Sequence, residues 1–202
     1  MSNFLIVNGT QPYESAPGTL NASLTKLARD SLTRMGHTVR VTTVADGYDT
    51  NADIEAHLWA DAIIMQFPVN WMGVPWVFKK YMDEVYTMGM DGRFANGDGR
   101  TSDAPTANYG MGGKLTDKKY MLSVTFNAPE EAFDNPAEPF FAGSNVDDLL
   151  RPLHLTARFM AMQALPTFAA FDVMKNPNIE SDFARYEAHL KTAFAEVEHV
   201  PA

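Results

Sequence analysis

Three apolar runs constrain this chain more than any other feature. Phe4-Leu5-Ile6-Val7 stops at Asn8-Gly9, Ala62-Ile63-Ile64-Met65 runs on to Pro68, and Tyr120-Met121-Leu122-Ser123-Val124-Thr125 precedes a long connection. Short continuous runs of this kind suit strands buried on both faces, which occur where helices cover a parallel sheet. Between them the period changes to that of a helix. Leu20, Leu24, Leu27, Ala28, Leu32 and Met35 share one face, and Gly36 stops that helix. Thr38–Thr42 reads as a more polar strand nearer the sheet edge, and a short helix is expected across Ala52–Trp59. Pro75 takes a first helical position, where its missing N–H is no loss, and Val77, Tyr81 and Val85 give that helix its face.

The remainder has two long connections, Thr87–Lys114 and Phe126–Asn145. A helix is expected over Asp148–Met160 with Pro152 in its first turns or at a kink. Pro166–Phe171 reads as a short fifth strand. Ser181 is expected to cap a last helix with Phe183, Tyr186, Leu190, Phe194 and Val197 on one face. Alternating strands and helices give an α/β doubly wound parallel sheet with helices on both faces. Right-handed crossovers leave few topologies, and five strands fit the flavodoxin-like order 2-1-3-4-5. No repeat or linker divides the chain, so residues 1–202 are expected to form one domain.

Composition removes several classes of function. The net charge of −9 argues against a nucleic-acid partner and against docking on an anionic membrane surface. With no cysteine there is no disulfide, no Cys-based zinc site and no Cys nucleophile. No stretch approaches a membrane span, and the N-terminal apolar run is too short for a signal peptide, so the expected location is cytoplasmic. The five His form no metal motif or catalytic triad. His37, His57, His189 and His199 read as surface or edge residues, and His154 lies near the start of a helix expected to face the loop ends. Lys79-Lys80 and Lys118-Lys119 read as solvated pairs.

In such sheets ligands bind beyond the carboxyl ends of the strands, near the switch in strand order. That singles out three loops. The first, with Ser15, Ala16, Pro17, Gly18, Thr19, Leu20 and Asn21, offers hydroxyls and a helix N-terminus to an anion such as a pyrophosphate, or is an ordinary helix start. It is no G-x-G-x-x-G fingerprint, and Gly110–Leu115 is no P-loop. The second, Phe67-Pro68-Val69-Asn70-Trp71-Met72-Gly73-Val74-Pro75-Trp76, carries two Trp that can pack on a flat ring or fill core and subunit contacts. In the third, Thr125-Phe126-Asn127-Ala128, small residues let a planar ligand approach the backbone.

Together these loops resemble the NAD(P)H:quinone oxidoreductases. Phe67–Tyr86 looks like the family's flavin loop and following helix, and Lys119–Ala128 looks like its fourth strand and isoalloxazine loop. The resemblance implies a flavodoxin-like, dimeric, FAD-dependent enzyme that takes hydride from NADPH or NADH and passes two electrons to a quinone. It implies an FAD loop at Ala16–Asn21 and Ser23, with Ser15 or Thr19 supplying a hydroxyl. It further implies ring contacts at Val69, Asn70, Trp71, Met72, Thr125, Phe126, Asn127 and Ala128. Tyr109 falls where the family has a tyrosine in the long loop, and Tyr109 and His154 are candidate proton donors to the quinone. A flavin-dependent azo or nitro reductase and a one-electron flavodoxin-type carrier are the competing readings. The large apolar loop residues Trp71, Met72, Trp76, Phe140 and Phe141, which one subunit is not expected to bury alone, point to a homodimer.

Overall fold

The computed structural model describes residues 1–194. Its elements are β1 (Asn3–Asn8), α1 (Thr19–Arg34), β2 (Thr38–Thr43), α2 (Thr50–Trp59), β3 (Ala62–Pro68) and α3 (Trp76–Gly89), followed by β4 (Lys119–Thr125), α4 (Val146–Leu149), α5 (Arg151–Phe159), β5 (Gln163–Ala164), β6 (Phe168–Ala170) and α6 (Ile179–Phe194). All strand pairs are parallel. The order is β2-β1-β3-β4-β5, and β6 also pairs with β4. The apolar runs of β1, β3 and β4 therefore occupy the sheet centre, as their continuity requires, and the polar β2 lies at the edge.

Period-two alternation divides the core into two layers. Phe4, Ile6, Ile64 and Met121 meet Leu24 and Leu32 of α1 and Tyr186 and Leu190 of α6. On the other face Leu5, Ile63, Met65, Leu122 and Val124 meet Ile54 of α2, Phe78, Tyr81 and Val85 of α3, and Leu153 of α5. Asp49 caps α2, accepting from the Ala52 N–H at 2.8 Å.

Proline accounts for two departures from the sequence expectation. The helix expected over Asp148–Met160 is two helices, α4 and α5, separated at Leu150. Pro152 has no N–H to give the Asp148 carbonyl, and its ring would collide with it in a continuous helix, so it sits in the first turn of α5 instead. The expected fifth strand, Pro166–Phe171, shortens to β6, and the two-residue β5, which the sequence reading did not expect, precedes it. Lys119 pairs with Gln163, but Ser123 pairs with Phe168, so one extra residue bulges out around Pro166, which cannot donate to the ladder.

Smaller shifts concern helix ends and surface residues. Pro75 is the N-cap of α3, one position before the first helical residue Trp76, and α3 continues to Gly89. Ser181 lies inside the first turn of α6 rather than capping it; the Asn178 carbonyl accepts from the Asp182 N–H at 2.9 Å. His37 and His57 are buried, not surface residues, and so is Lys118. His57 packs against Tyr86 and Phe94, and Nδ1 lies 2.8 Å from the Asp53 carbonyl one turn back. Val197 and His199 lie outside the described residues.

Candidate active site

The carboxyl ends of β1, β3 and β4 meet the N-terminus of α1 around a cavity of about 380 Å³. Thr10, Tyr13 and Ser15 through Asn21 form one wall. Pro68, Val69 and Asn70 form the second, Thr125 and Asn127 the third, and Val173, Met174 and Ile179 close the far end. No charged side chain lines it among the described residues. What it offers an anion is backbone.

The first turn of α1 shows why. Its N-cap is Gly18 with φ 80°, and no side chain caps it. A Cβ on Gly18 would lie 2.5 Å from the Thr10 methyl, so glycine is required both by backbone region and by space. The N–H groups of Thr19, Leu20 and Asn21 have no partner among the described residues; the first helical bond runs from Ala22 to the Gly18 carbonyl at 3.0 Å. A helix of 16 residues thus presents free donors and the positive end of its dipole to the cavity. Thr10 is buried, lines the same cavity, and its Oγ1 has no hydrogen-bond partner. An orphan hydroxyl beside uncapped amides fits a phosphate group.

Val69–Val74 forms the second feature. The Val69 N–H donates to the Thr125 carbonyl at 2.9 Å, and Asn70 and Gly73 exchange backbone bonds of 2.9 and 3.0 Å. Between them Trp71 has φ 49° and Met72 φ 65°. Positive φ at both central positions is the geometry of a type I′ turn, which normally takes Asn-Gly. Trp71 is 97% exposed on this strained turn. The N–H groups of Trp71, Met72, Asn127 and Ala128 have no partner among the described residues and are free to serve ring oxygens and nitrogens. A second hollow, lined by Tyr13, Val69, Asn70, Trp71, Val74 and Trp76, opens beside the first.

The residues expected from sequence do not all reach this place. Ala16–Asn21, Ser15, Val69, Asn70, Thr125 and Asn127 line the cavity, and Trp71 lines the adjoining hollow. Met72 faces a separate hollow with Phe140 and Phe141. Ser23 lies two positions past the wall. Phe126 is turned inward: its ring packs on Phe133 and Phe171, its N–H donates to Ala170 at 2.8 Å and its carbonyl accepts from Val173 at 3.0 Å. Tyr109 stacks edge-on against Phe159 in a different hollow of about 610 Å³, between α3, the long loop and the end of α5. His154 bonds the Tyr120 hydroxyl at 2.7 Å and Asp147 at 3.1 Å. Tyr120 is the second residue of β4, and five residue steps at strand rise separate it from Thr125 by about 16 Å. Within one chain neither Tyr109 nor His154 lines the cavity. Burial and the Asp147 charge push the Tyr120 hydroxyl up to about 12, so it stays protonated.

Sequence reasoning placed Thr10 at the start of the first loop without giving it a role, and it missed Gln66 and Ser123 together with the apolar end formed by Val173, Met174 and Ile179. Gln66 and Ser123 carried a readable signal, since each is a polar residue inside an otherwise apolar strand.

Comparison with known proteins agrees with this architecture. A family model described as flavodoxin-like fold matches residues 2–193. The NADPH:quinone oxidoreductase MdaB of Haemophilus influenzae is 45% identical over 192 residues, covering 95% of this chain and 99% of that protein. An uncharacterised protein of Schizosaccharomyces pombe is 45% identical over 190 residues, covering 94% and 96%. A solved structure from Klebsiella pneumoniae, described as a candidate quinone reductase, superposes with a TM-score of 0.76 at 22% identity, covering 99% of this chain and 86% of that one.

Proposed function

Since the chain belongs to the flavodoxin-like family of NAD(P)H:quinone oxidoreductases, we propose that it holds FAD in this cavity and uses NADPH or NADH to reduce quinones by two electrons. It is an oxidoreductase. The observation that carries the cofactor assignment is the uncapped α1 N-terminus beside the orphan Thr10 hydroxyl, open to a cavity between the three strand ends. Bound there, a flavin supplies acceptance of hydride from a nicotinamide and delivery of electrons to a quinone.

The chain's own residues bind, orient and shield. The amides of Thr19, Leu20 and Asn21 and the hydroxyl of Thr10 hold the diphosphate, with Ser15 and Thr19 at its rim. Val173, Met174 and Ile179 give the adenine an apolar wall, which is the reason to assign FAD rather than FMN. The free N–H groups of Trp71, Met72, Asn127 and Ala128 are preorganised donors for charge that builds on the ring. Val69, Asn70 and Thr125 would hold the ring, with Trp71 beside them in the adjoining hollow, and Phe126 holds the loop from the core. Ser23 supports the first turn of α1. No helix of the described residues is long and apolar enough to cross a membrane, and the site opens on the loop side of the sheet. Nicotinamide and quinone use the same opening and take turns in it.

Tyr109, Trp71, Trp76 and Phe140 are all exposed, and we assign this apolar surface to contact with a second copy of the chain. Tyr109 and His154 remain the candidate proton donors, which requires the partner subunit to bring them to the quinone.

Heat-denaturing the purified protein and chromatographing the supernatant tests the cofactor directly. FAD is the expected flavin; FMN alone, or none, contradicts the assignment.

A further inference from the structure

β3 is apolar from Ala62 to Phe67 except at Gln66, whose side chain is fully buried. A buried amide in a central strand is costly unless bonded, and this one is bonded at both ends. Its Nε2 donates to Asn21 Oδ1 at 2.8 Å, and its Oε1 accepts from Ser123 Oγ at 2.7 Å. Asn21 Nδ2 then donates to Thr125 Oγ1 at 3.1 Å. Ser123 and Thr125 stand two residues apart on one face of β4, so the four side chains tie β3, β4 and α1 together through a chain of three hydrogen bonds. All four are buried.

Where this chain of bonds grips α1 matters. The fully buried apolar contacts of the helix with the sheet begin at Leu24, one turn further in, and continue through Ala28 and Leu32, while in the first turn only the half-buried Leu20 packs against them. Those residues dock the helix but hold the rotation of its first turn loosely. Within that turn Asn21 is the buried residue, and hydrogen bonds fix direction where apolar packing does not.

We propose that Gln66 is a positioning residue for the phosphate end of the flavin. Through Asn21 it sets the rotation of the first turn of α1, so that the free amides of Thr19, Leu20 and Asn21 converge with the buried Thr10 hydroxyl on one anionic group. Gln66 does not touch the cofactor, and Ser123 anchors it from the far side. The inference rests on the flavin assignment made above and adds to it which internal residues make the site selective for a phosphate-bearing flavin.

The test uses the flavin-free protein, titrated with FAD, FMN and riboflavin and followed by flavin fluorescence. In Gln66→Met, which keeps side-chain volume and removes the amide, affinity for FAD and FMN falls about tenfold, the size expected for misaimed bonds to a charged group, while affinity for riboflavin stays within about twofold. Ser123→Ala, which removes the bond that anchors Gln66 from the far side, shows the same selectivity at about threefold and decides the matter if Gln66→Met does not fold. Equal weakening of FAD and riboflavin, or no weakening of either, overturns the positioning role and leaves the flavin assignment standing. A wild-type protein that binds riboflavin as tightly as FAD does the same. A wild-type protein that binds no flavin overturns the functional assignment itself, and this inference with it.

Discussion

Trp71 and Met72 occupy left-handed backbone that L side chains avoid, at a cost of roughly 1–3 kcal/mol each. The turn persists because paired backbone bonds between Asn70 and Gly73 and the Val69 bond to Thr125 hold it from both sides. Trp71 recovers little of that cost by burial within the chain, being 97% exposed. Its side chain therefore matters for what it meets outside the subunit's own core. Trp71→Ala is expected to weaken flavin or quinone binding about fivefold, more than Trp76→Ala, as loss of an aromatic packed on a flat ring does. Trp71→Gly is expected to leave unfolding free energy within about 1 kcal/mol of wild type, because glycine relieves the strained φ while losing more entropy on folding. Flavin titration and urea unfolding of the three variants check this. Equal affinity and turnover in Trp71→Ala and Trp76→Ala would show that the turn has been given the wrong role.

The long connection between α3 and β4 is held by close backbone approach rather than by regular structure. Leu115 donates to the Met160 carbonyl at 2.9 Å and Lys114 to the Phe94 carbonyl at 2.9 Å. A Cβ on Gly113 would stand 2.3 Å from the Met160 carbonyl carbon and 2.5 Å from the Ala161 nitrogen, and backbone cannot swing aside as a side chain can. Gly113→Ala should cost about 3 kcal/mol in urea unfolding, the upper range for overpacking; a loss under about 1 kcal/mol would mean the loop is not docked on α5 as described. A second consequence comes from α2. Burial holds His57 neutral, with its pKa below the ordinary imidazole value, although the neighbouring Asp53 opposes that shift. As pH falls the unfolded chain takes up this proton before the folded one does. The stability His57 contributes is complete above about pH 6.5 and declines below it, with a slope reaching about 1.4 kcal/mol per pH unit. In His57→Phe that component of the decline disappears, and the difference between the two proteins' unfolding free energies from pH 7.5 to 5.5 measures it. Parallel stability curves would contradict a neutral buried His57.

These elements also show what a sequence can carry. The continuous runs of β1, β3 and β4 announce central strands, and the polar β2 announces an edge, because burial on two faces leaves a direct trace in residue type. The loops at the strand ends were legible for the same reason. Pro152 and Pro166 were visible, but whether a proline ends, enters or splits an element depends on which carbonyl stands four residues back and which strand it would pair with. His57 was not legible as core. Its helix shows no strong apolar face, and its surroundings are assembled by Asp53 accepting from Thr42 on β2 at 2.7 Å and from Tyr81 on α3 at 2.9 Å. The orphan hydroxyl of Thr10 is likewise a property of packing, invisible until Gly18 and α1 close over it.

At the scale of the whole molecule, two features point the same way. The free donors gather at one end of the sheet, and large apolar residues stay exposed around and below it: Trp71, Met72, Trp76, Tyr109, Met111, Phe140 and Leu155. Phe141 is only half-buried, stacked on Phe133 at 4.3 Å. A single subunit leaves this surface wet, and a second copy would dry it. Light scattering at micromolar concentration should report twice the chain's mass, and a monomer would contradict the assignment. In the proposed function nicotinamide and quinone exchange electrons through one bound flavin, in turn, at one opening. Initial rates of NADPH oxidation, measured at several fixed concentrations of a soluble quinone, read that exchange. Quinone-dependent oxidation with parallel double-reciprocal lines is expected, as for ping-pong kinetics. Intersecting lines would contradict the shared opening, and no quinone-dependent oxidation would contradict the activity itself.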